Sequence, residues 1–297
     1  MSADDPLFER SNLGVFAQRF AVCLNSPEGS LVLSNSMIGV SSEAHHALRA
    51  FLPSSYECDE VHRCEIRERS YSIRCADSFS RRSSASILIN RMYASRGYPS
   101  APLPDDPPPT RITLVASEHN TTVGTITVGF DSSEGLRVDA LFSEQADALR
   151  DAGRAICEFT TLAVDSMVHS RRVLASLFHV AYICAHRVMD FDDLLIEVNP
   201  RHVSFYQRML GFEVIGPERF NQRVKAPAVL MSLDFAHARE QLSQFGGRPE
   251  CVRSERSLYP DSFSAAEEAG IVNRLMPIYH SMAFTARRFG SPSLLRA

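Results

Sequence analysis

From Tyr71 onward apolar and polar positions alternate, so YSIRCA reads as a strand with one face toward a core. The following SFSRRSSASILINRMYASRGY predicts a helix capped by Ser80, carrying Ile87, Leu88 and Met92. PSAPLPDDPPPT, from Pro99 to Thr110, must be a loop, because proline lacks an amide donor and turns its neighbours away from helix. RITLVAS and TVGTITVGF then predict two strands around a polar turn at SEHNT. SEQADALRDAG predicts a polar helix ending at Gly153. AICEFTTLAVD, from Ala155 to Asp165, is apolar on both alternations apart from its glutamate and threonines, as a central strand covered on both faces should be.

RRVLASLFHVAYICAHRVMD spaces Val173, Leu174, Leu177, Phe178, Ala181, Tyr182 and Ala185 by three and four, which gives a helix with one apolar stripe facing the sheet. DLLIEV is the next strand. NPRHVSFYQRMLGFEVIG gives a short helix closed by Gly211, and APAVLMSLDF a final strand. Residues 1–65 hold one short amphipathic run (Leu13, Val15, Phe16, Phe20, Val22) among Ser-rich and charged stretches, without a motif. The expected organisation is an N-terminal extension over 1–65, an α/β domain over 66–235, and a largely helical extension over 236–297 packed on the core and punctuated by Pro260.

A chain of 297 residues can bury a sizeable core without staples. A net charge of −4 gives no general attraction to nucleic acid, so no nucleic-acid partner is expected. The seven cysteines show neither CxxC pairs nor zinc-like spacing, and Cys157 and Cys184 fall on apolar faces as core residues. His45, His46 and His202 have no partner pattern for a metal, so no metal site and no bound cofactor are expected. The acidic opening MSADDPLFER and the lack of an apolar run of about 20 residues predict a cytoplasmic chain without a transmembrane segment.

The order of strands and helices over 71–235 resembles the Gcn5-related N-acyltransferase (GNAT) fold, a central mixed, twisted sheet flanked by helices. EVNPRHVSFYQRMLGFEV is the most specific run: an asparagine, a tyrosine seven residues on, then Gly-Phe, here Asn199, Tyr206, Gly211 and Phe212. Within the superfamily the chain is similar to the long-chain N-acyl amino acid synthases, which are related to the acyl-homoserine-lactone synthases. The runs that carry this are INRMYASRGY, ALRDAGRAICEFTTLAVD, LFHVAYICAHR, IEVNPRHVSFYQRMLGFEVIG, APAVLMSLDF and RSLYPDSFSAAEEAG. Lactone synthases carry Glu-x-x-Arg at the central strand; here Glu158 is kept and Thr161 stands where the arginine would be. Relatives that use acetyl-CoA bind its pyrophosphate on a Gly-rich loop, whereas this chain reads DSMVHSRRVLAS there, without glycine.

The resemblance implies transfer of a long-chain acyl group from the phosphopantetheine thioester of acyl carrier protein to the amine of an amino acid. Glu158 is the candidate base for the acceptor ammonium, or else a buried partner for an arginine such as Arg91 or Arg154. Tyr206 is the candidate donor of a proton to the leaving thiolate, or else packs its helix on the sheet. A backbone amide around Leu162 to Val164 would meet the oxyanion, beside Thr160. Arg91, Tyr93, Arg96 and Tyr98 would fold over the acceptor, an arginine pairing with its carboxylate, or else these arginines are solvated at the surface. Asn199 and Arg201 are further substrate candidates, or plain capping and turn residues. His169, Arg171 and Arg172 would face the phosphopantetheine phosphate and acidic carrier side chains, or form a solvated basic turn. The alternatives are a lactone-synthase-like or acyl-CoA-dependent N-acyltransferase, and a non-catalytic module that binds acyl groups or proteins.

Overall fold

The computed structural model of the protein describes residues 39–40, 71–99, 102–108, 110–165 and 170–288. The amphipathic run near Phe16, His45, His46 and His169 lie outside them. Among the described residues nine strands run β1 (Gly39–Val40), β2 (Tyr71–Cys75), β3 (Arg111–Glu118), β4 (Thr121–Phe130), β5 (Ile156–Val164), β6 (Asp193–Val198), β7 (Glu213–Val214), β8 (Arg219–Asn221) and β9 (Ala226–Asp234). The helices are α1 (Phe79–Ala94), α2 (Asp139–Asp151), α3 (Ser170–Tyr182), α4 (Val203–Leu210), α5 (Phe235–Phe245) and α6 (Ala265–Arg288). The sheet order is β1-β2-β3-β4-β5-β6-β9-β7, with β8 paired to β9. Neighbours are antiparallel except β5 and β6, which run parallel.

The alternation along β3, β4 and β5 sorts side chains onto two faces. Ile112, Leu114, Ile126, Val128, Cys157 and Phe159 go to one face, where they form the main core with α3. The apolar stripe expected on α3 is buried as expected, apart from the half-buried Leu174. The helical run does not continue unbroken to Asp190: from Ile183 to Val188 it loosens into a π-helical turn. On the other face α2 packs Val138, Phe142 and Ala146 on Ile156, Leu195 and Leu230. The tail is part of the main core, since Leu258, Tyr259, Phe263, Ile271 and Leu275 join it. Cys157 and Cys184 are fully buried, and burial raises both thiols well above their ordinary range.

Two details of α1 differ from expectation. Ser78, not Ser80, caps it: Ser78 is extended and its side chain accepts from the Arg81 amide. Ile87 is 66% exposed, while Ala85, Leu88 and Ile89 face inward. Arg81 and Arg82 donate to the carbonyls of Cys75 (3.1 Å) and Asp77 (2.7 Å), fixing the helix's start and hence its phase.

The helix α3 sits so close to β4 that Gly124 has no room for a side chain. A Cβ there would lie 2.8 Å from Leu177 Cδ1 and 3.0 Å from Val173 Cγ1. Gly124→Val is therefore expected to destabilise the fold by at least about 1–3 kcal/mol through overpacking, measured by denaturant unfolding. An unchanged midpoint would show that α3 shifts away freely. Among the described residues no helix is long and apolar enough to cross a membrane.

Candidate active site

The strands β5 and β6 pair only at Ile156↔Asp193, Cys157↔Leu194 and Glu158↔Leu195. On their outer edges each stays paired further, β5 with β4 to Val164↔Gly124 and β6 with β9 to Val198↔Val229. The sheet therefore opens into a cleft beyond Glu158 and Leu195, where the facing backbone edges no longer bond each other. A bulge at Thr161 deepens this irregularity: the β4–β5 register shifts there, and Thr161 has φ 46°, unusual for a β-branched residue. The Thr161 carbonyl accepts from Thr125 Oγ1 (3.0 Å), and its hydroxyl meets Thr127 Oγ1 at 2.5 Å. These bonds hold a left-handed conformation that costs on the order of 1–3 kcal/mol, placed beside Leu162 and Val164 where an oxyanion amide is expected.

The two faces of the cleft differ in chemistry. Toward α3 lies an apolar cavity whose walls include Phe159, Phe178, Leu194 and Leu210. The tail closes it with Tyr259 and Leu242. Tyr259 donates to the Leu210 carbonyl (2.7 Å), and the Leu258 amide to the Met209 carbonyl (2.8 Å), so the tail is fastened to the end of α4.

Toward α1 and α2 the cleft is polar. Glu158 is 0% exposed, with Oε1 2.6 Å from Arg111 Nη1 and Oε2 accepting from the Val138 amide at 3.1 Å. Arg111, Gly129 and Glu158 stand abreast on β3, β4 and β5. The ion pair crosses over Gly129 because that residue has no side chain: a Cβ would meet Arg111 Nη1 and Glu158 Oε1 at 3.0 Å. The expected alternative partners of Glu158 are corrected here. Arg91 pairs with Asp165 (2.5 Å) and Arg154 with Asp193 (2.5 Å), because both lie at opposite ends of β5 from the register of Glu158.

Glu197 lies two residues past Leu195, on the same face. Asn221 Nδ2 donates to its Oε1, and Arg223 Nη2 is 3.6 Å away. Burial pushes its carboxyl above the usual range, and the charge of Glu158 adds to this, against Arg223 and Asn221. Arg137 directly precedes Val138. Burial, then repulsion from Arg111 and Arg223, weakens its hold on its proton, with Glu158 and Tyr93 acting the other way.

Tyr206 joins the faces. Its ring packs edge-on against Phe178 and Phe212, at 6.4 and 5.7 Å between centroids. Burial raises its phenol well above the ordinary range, Tyr93 adding to this and Arg96 opposing it, so the group stays protonated through neutral pH. At the end of α1 Tyr93 meets Tyr98 edge-on, and Tyr98 accepts from Arg201 Nη2 (2.7 Å) beneath its guanidinium. Asn199 caps the turn over Pro200–His202 and donates to the Pro227 carbonyl at 3.2 Å.

The cleft thus gathers Glu158, Thr160, Tyr206, Tyr93 and the neighbourhood of Arg96, while Arg91 is turned to Asp165 with its side chain 59% exposed. Of the basic residues at the start of α3, Arg171 is taken by the tail, 2.5 Å from Asp261 and donating to the Ser257 carbonyl. Arg172 is exposed. Sequence reasoning passed over Glu197, Arg137, Arg111 and Arg223. For Glu197 a signal existed, a charge inside the otherwise apolar run LLIEV of a central strand.

Residues 84–234 match the family described as FeeM, N-acyl amino acid synthase. Among solved structures the chain is similar to FeeM, an N-acyl amino acid synthase from uncultured soil microbes. The two are 26% identical over 61% of this chain and 99% of that one, with a TM-score of 0.53. Weaker likenesses include a CoA-dependent acyl-homoserine lactone synthase, BjaI, at 11% identity over 54% of this chain and 78% of that one, TM-score 0.41. Another is Escherichia coli ElaA, at 11% over 55% and 97%, TM-score 0.39. No curated protein matches the sequence.

Proposed function

Since this chain belongs to the FeeM family of N-acyl amino acid synthases, and is an N-acyltransferase of the GNAT fold, we propose that it moves a long-chain acyl group from acyl carrier protein to the amine of an amino acid. The observation that carries this reading is the two-faced cleft. The apolar lining of the α3-side cavity suits a fatty chain, although its volume of about 30 Å³ must widen to take more than a methylene or two, and the buried charged side chains on the other side suit a charged amine and carboxylate. The thioester carbonyl would lie between them, at the split, with its oxygen toward a free amide of β5 near Leu162.

The choice of carrier protein over CoA rests on the run DSMVHSRRVLAS, which has no glycine for a pyrophosphate-binding loop. Arg172 is an exposed cation at that end of α3 and would meet the acidic surface of the carrier in the cytosol. Arg172→Glu is expected to weaken acyl carrier binding about 10-fold or more, from reversing one rim charge, with no change in the melting temperature. Equal affinity of the variant, by titration with acyl carrier protein, would remove Arg172 from the docking face.

In the reaction the amine attacks the carbonyl carbon, the carbonyl electrons move to oxygen, and their return expels the pantetheine thiolate. Tyr206 gives that thiolate its proton and is reprotonated from the new amide nitrogen through water. Mass spectrometry of lipid extracts from cells overproducing the protein tests the whole reading. A new series of N-acyl amino acids is expected, and the same extracts reveal acyl length and acceptor. A protein that loads acyl carrier yet releases no carrier thiol with any amino acid would be a binding module instead.

A further inference from the structure

Four buried polar atoms at the cleft have no hydrogen-bond partner among the described residues; Glu158 Oε1 and Arg111 Nη1 answer each other as an ion pair at 2.6 Å, which leaves Glu197 Oε2 and Thr160 Oγ1. The Glu197 side chain is only 9% exposed. Register makes the two residues neighbours. Glu158 stands beside Leu195, and two positions further, on the same face, come Thr160 and Glu197 on opposite sides of the gap where pairing has stopped. Native structures leave a buried carboxylate oxygen unpartnered only for a reason, and a missing ligand is one.

Glu158 cannot fill the role of an accessible base in this arrangement. One of its oxygens lies against Arg111 and the other accepts from the Val138 amide, and no part of it is exposed. Glu197 keeps one oxygen free. The charged groups that act on it are Arg223 from the β8–β9 turn and Glu158 from β5, with the neutral Asn221 from β8. Opposite them the Arg137 side chain has neither a hydrogen bond nor an ion pair among the described residues, although it is half-buried and sits near Glu158, Arg223 and Tyr93. Its guanidinium feels the charge of Glu158 but makes no direct ion pair, so it is open to a further anion.

We propose that this polar side of the cleft binds the acceptor as a zwitterion: Glu197 Oε2 and Thr160 Oγ1 receive its ammonium, Glu197 takes the proton that frees the amine, and Arg137 receives its carboxylate. The inference rests on the acyl-transfer reading above. The N–H bond electrons become the lone pair that forms the C–N bond. Of the two protons the ammonium loses overall, one ends on the carrier thiol and the other passes from Glu197 to solvent. Burial and Glu158 hold the Glu197 carboxyl above its ordinary range, toward the basicity such a proton transfer needs.

The test uses the full chain, an acyl carrier thioester as donor, and release of carrier thiol as the readout. An amino acid is compared as acceptor with hydroxylamine, which is neutral at pH 7 and needs no base. Glu197→Gln is expected to lower kcat/KM for the amino acid about 10²–10⁴-fold at pH 7, and less as pH rises toward that of the free amine. It should leave transfer to hydroxylamine close to wild type and the melting temperature no lower, since a charge disfavoured by burial has been removed. Arg137→Ala should raise KM for amino acids about 10- to 100-fold and spare hydroxylamine. Equal loss with both acceptors would assign Glu197 a structural role, and undiminished amino acid transfer would remove it as base; either overturns the inference alone. A wild-type protein that acylates hydroxylamine but no amino acid would overturn the reading of the reaction as well.

Discussion

Replacing Arg111 with alanine will destabilise the protein by about 3–5 kcal/mol, among the largest effects of any single change, because it leaves the Glu158 carboxylate buried without its counter-charge. The Arg111 side chain is 14% exposed and that of Glu158 not at all, so water cannot replace the guanidinium. The cost comes from desolvation and not from any large net worth of the pair. Arg111→Met combined with Glu158→Gln should therefore recover most of the loss, since the amide oxygen still accepts from the Val138 amide and no charge remains. Denaturant melts of the three proteins check this. If the single variant is as stable as wild type, Glu158 has another cation or admits water. The crossing over Gly129 adds a related expectation, that a side chain at this glycine would push the pair apart.

Tyr206→Phe is expected to lower kcat about 10²–10⁴-fold with little change in KM, as befits a proton given up only when the thiolate leaves. The phenylalanine ring keeps the edge contacts with Phe178, Phe205 and Phe212, so the melting temperature should hold. Because burial raises the phenol, its donor form persists as pH rises, and the wild-type kcat should show no fall near pH 9 from this group. Single-turnover measurements with acyl carrier and amino acid separate this step from binding. An unchanged kcat would show that Tyr206 only packs its helix and that the thiolate leaves without help.

Most of the fold was legible because burial writes itself into spacing. The strand DLLIEV is β6 residue for residue, Gly211 ends α4 in a left-handed conformation with φ 82°, and the apolar stripe of α3 lies against the sheet. The phase of α1 was not legible. Ser78 and Ser80 are equal as caps in sequence, and the choice between them fell to Arg81 and Arg82 reaching carbonyls of the preceding strand end. The candidate site divided along the same line. Tyr206 and Asn199 stand in a motif of fixed local spacing, whereas the partner of Glu158 comes from a strand 47 positions away in the chain, through a register that no local pattern records.

Sequence by itself determined the superfamily architecture, the alternation that sends Phe159 to one face and Glu158 to the other, and the glycine-free run before α3. These follow from local periodicity and residue type. Only tertiary structure decided which cations answer which carboxylates. Arg111 went to Glu158, Arg91 to Asp165 and Arg171 to Asp261, while one oxygen of Glu197 was left without a hydrogen-bond partner among the described residues. The physical reason is that charge pairing depends on distance and burial across neighbouring strands, and those are set by where β5 and β6 stop pairing.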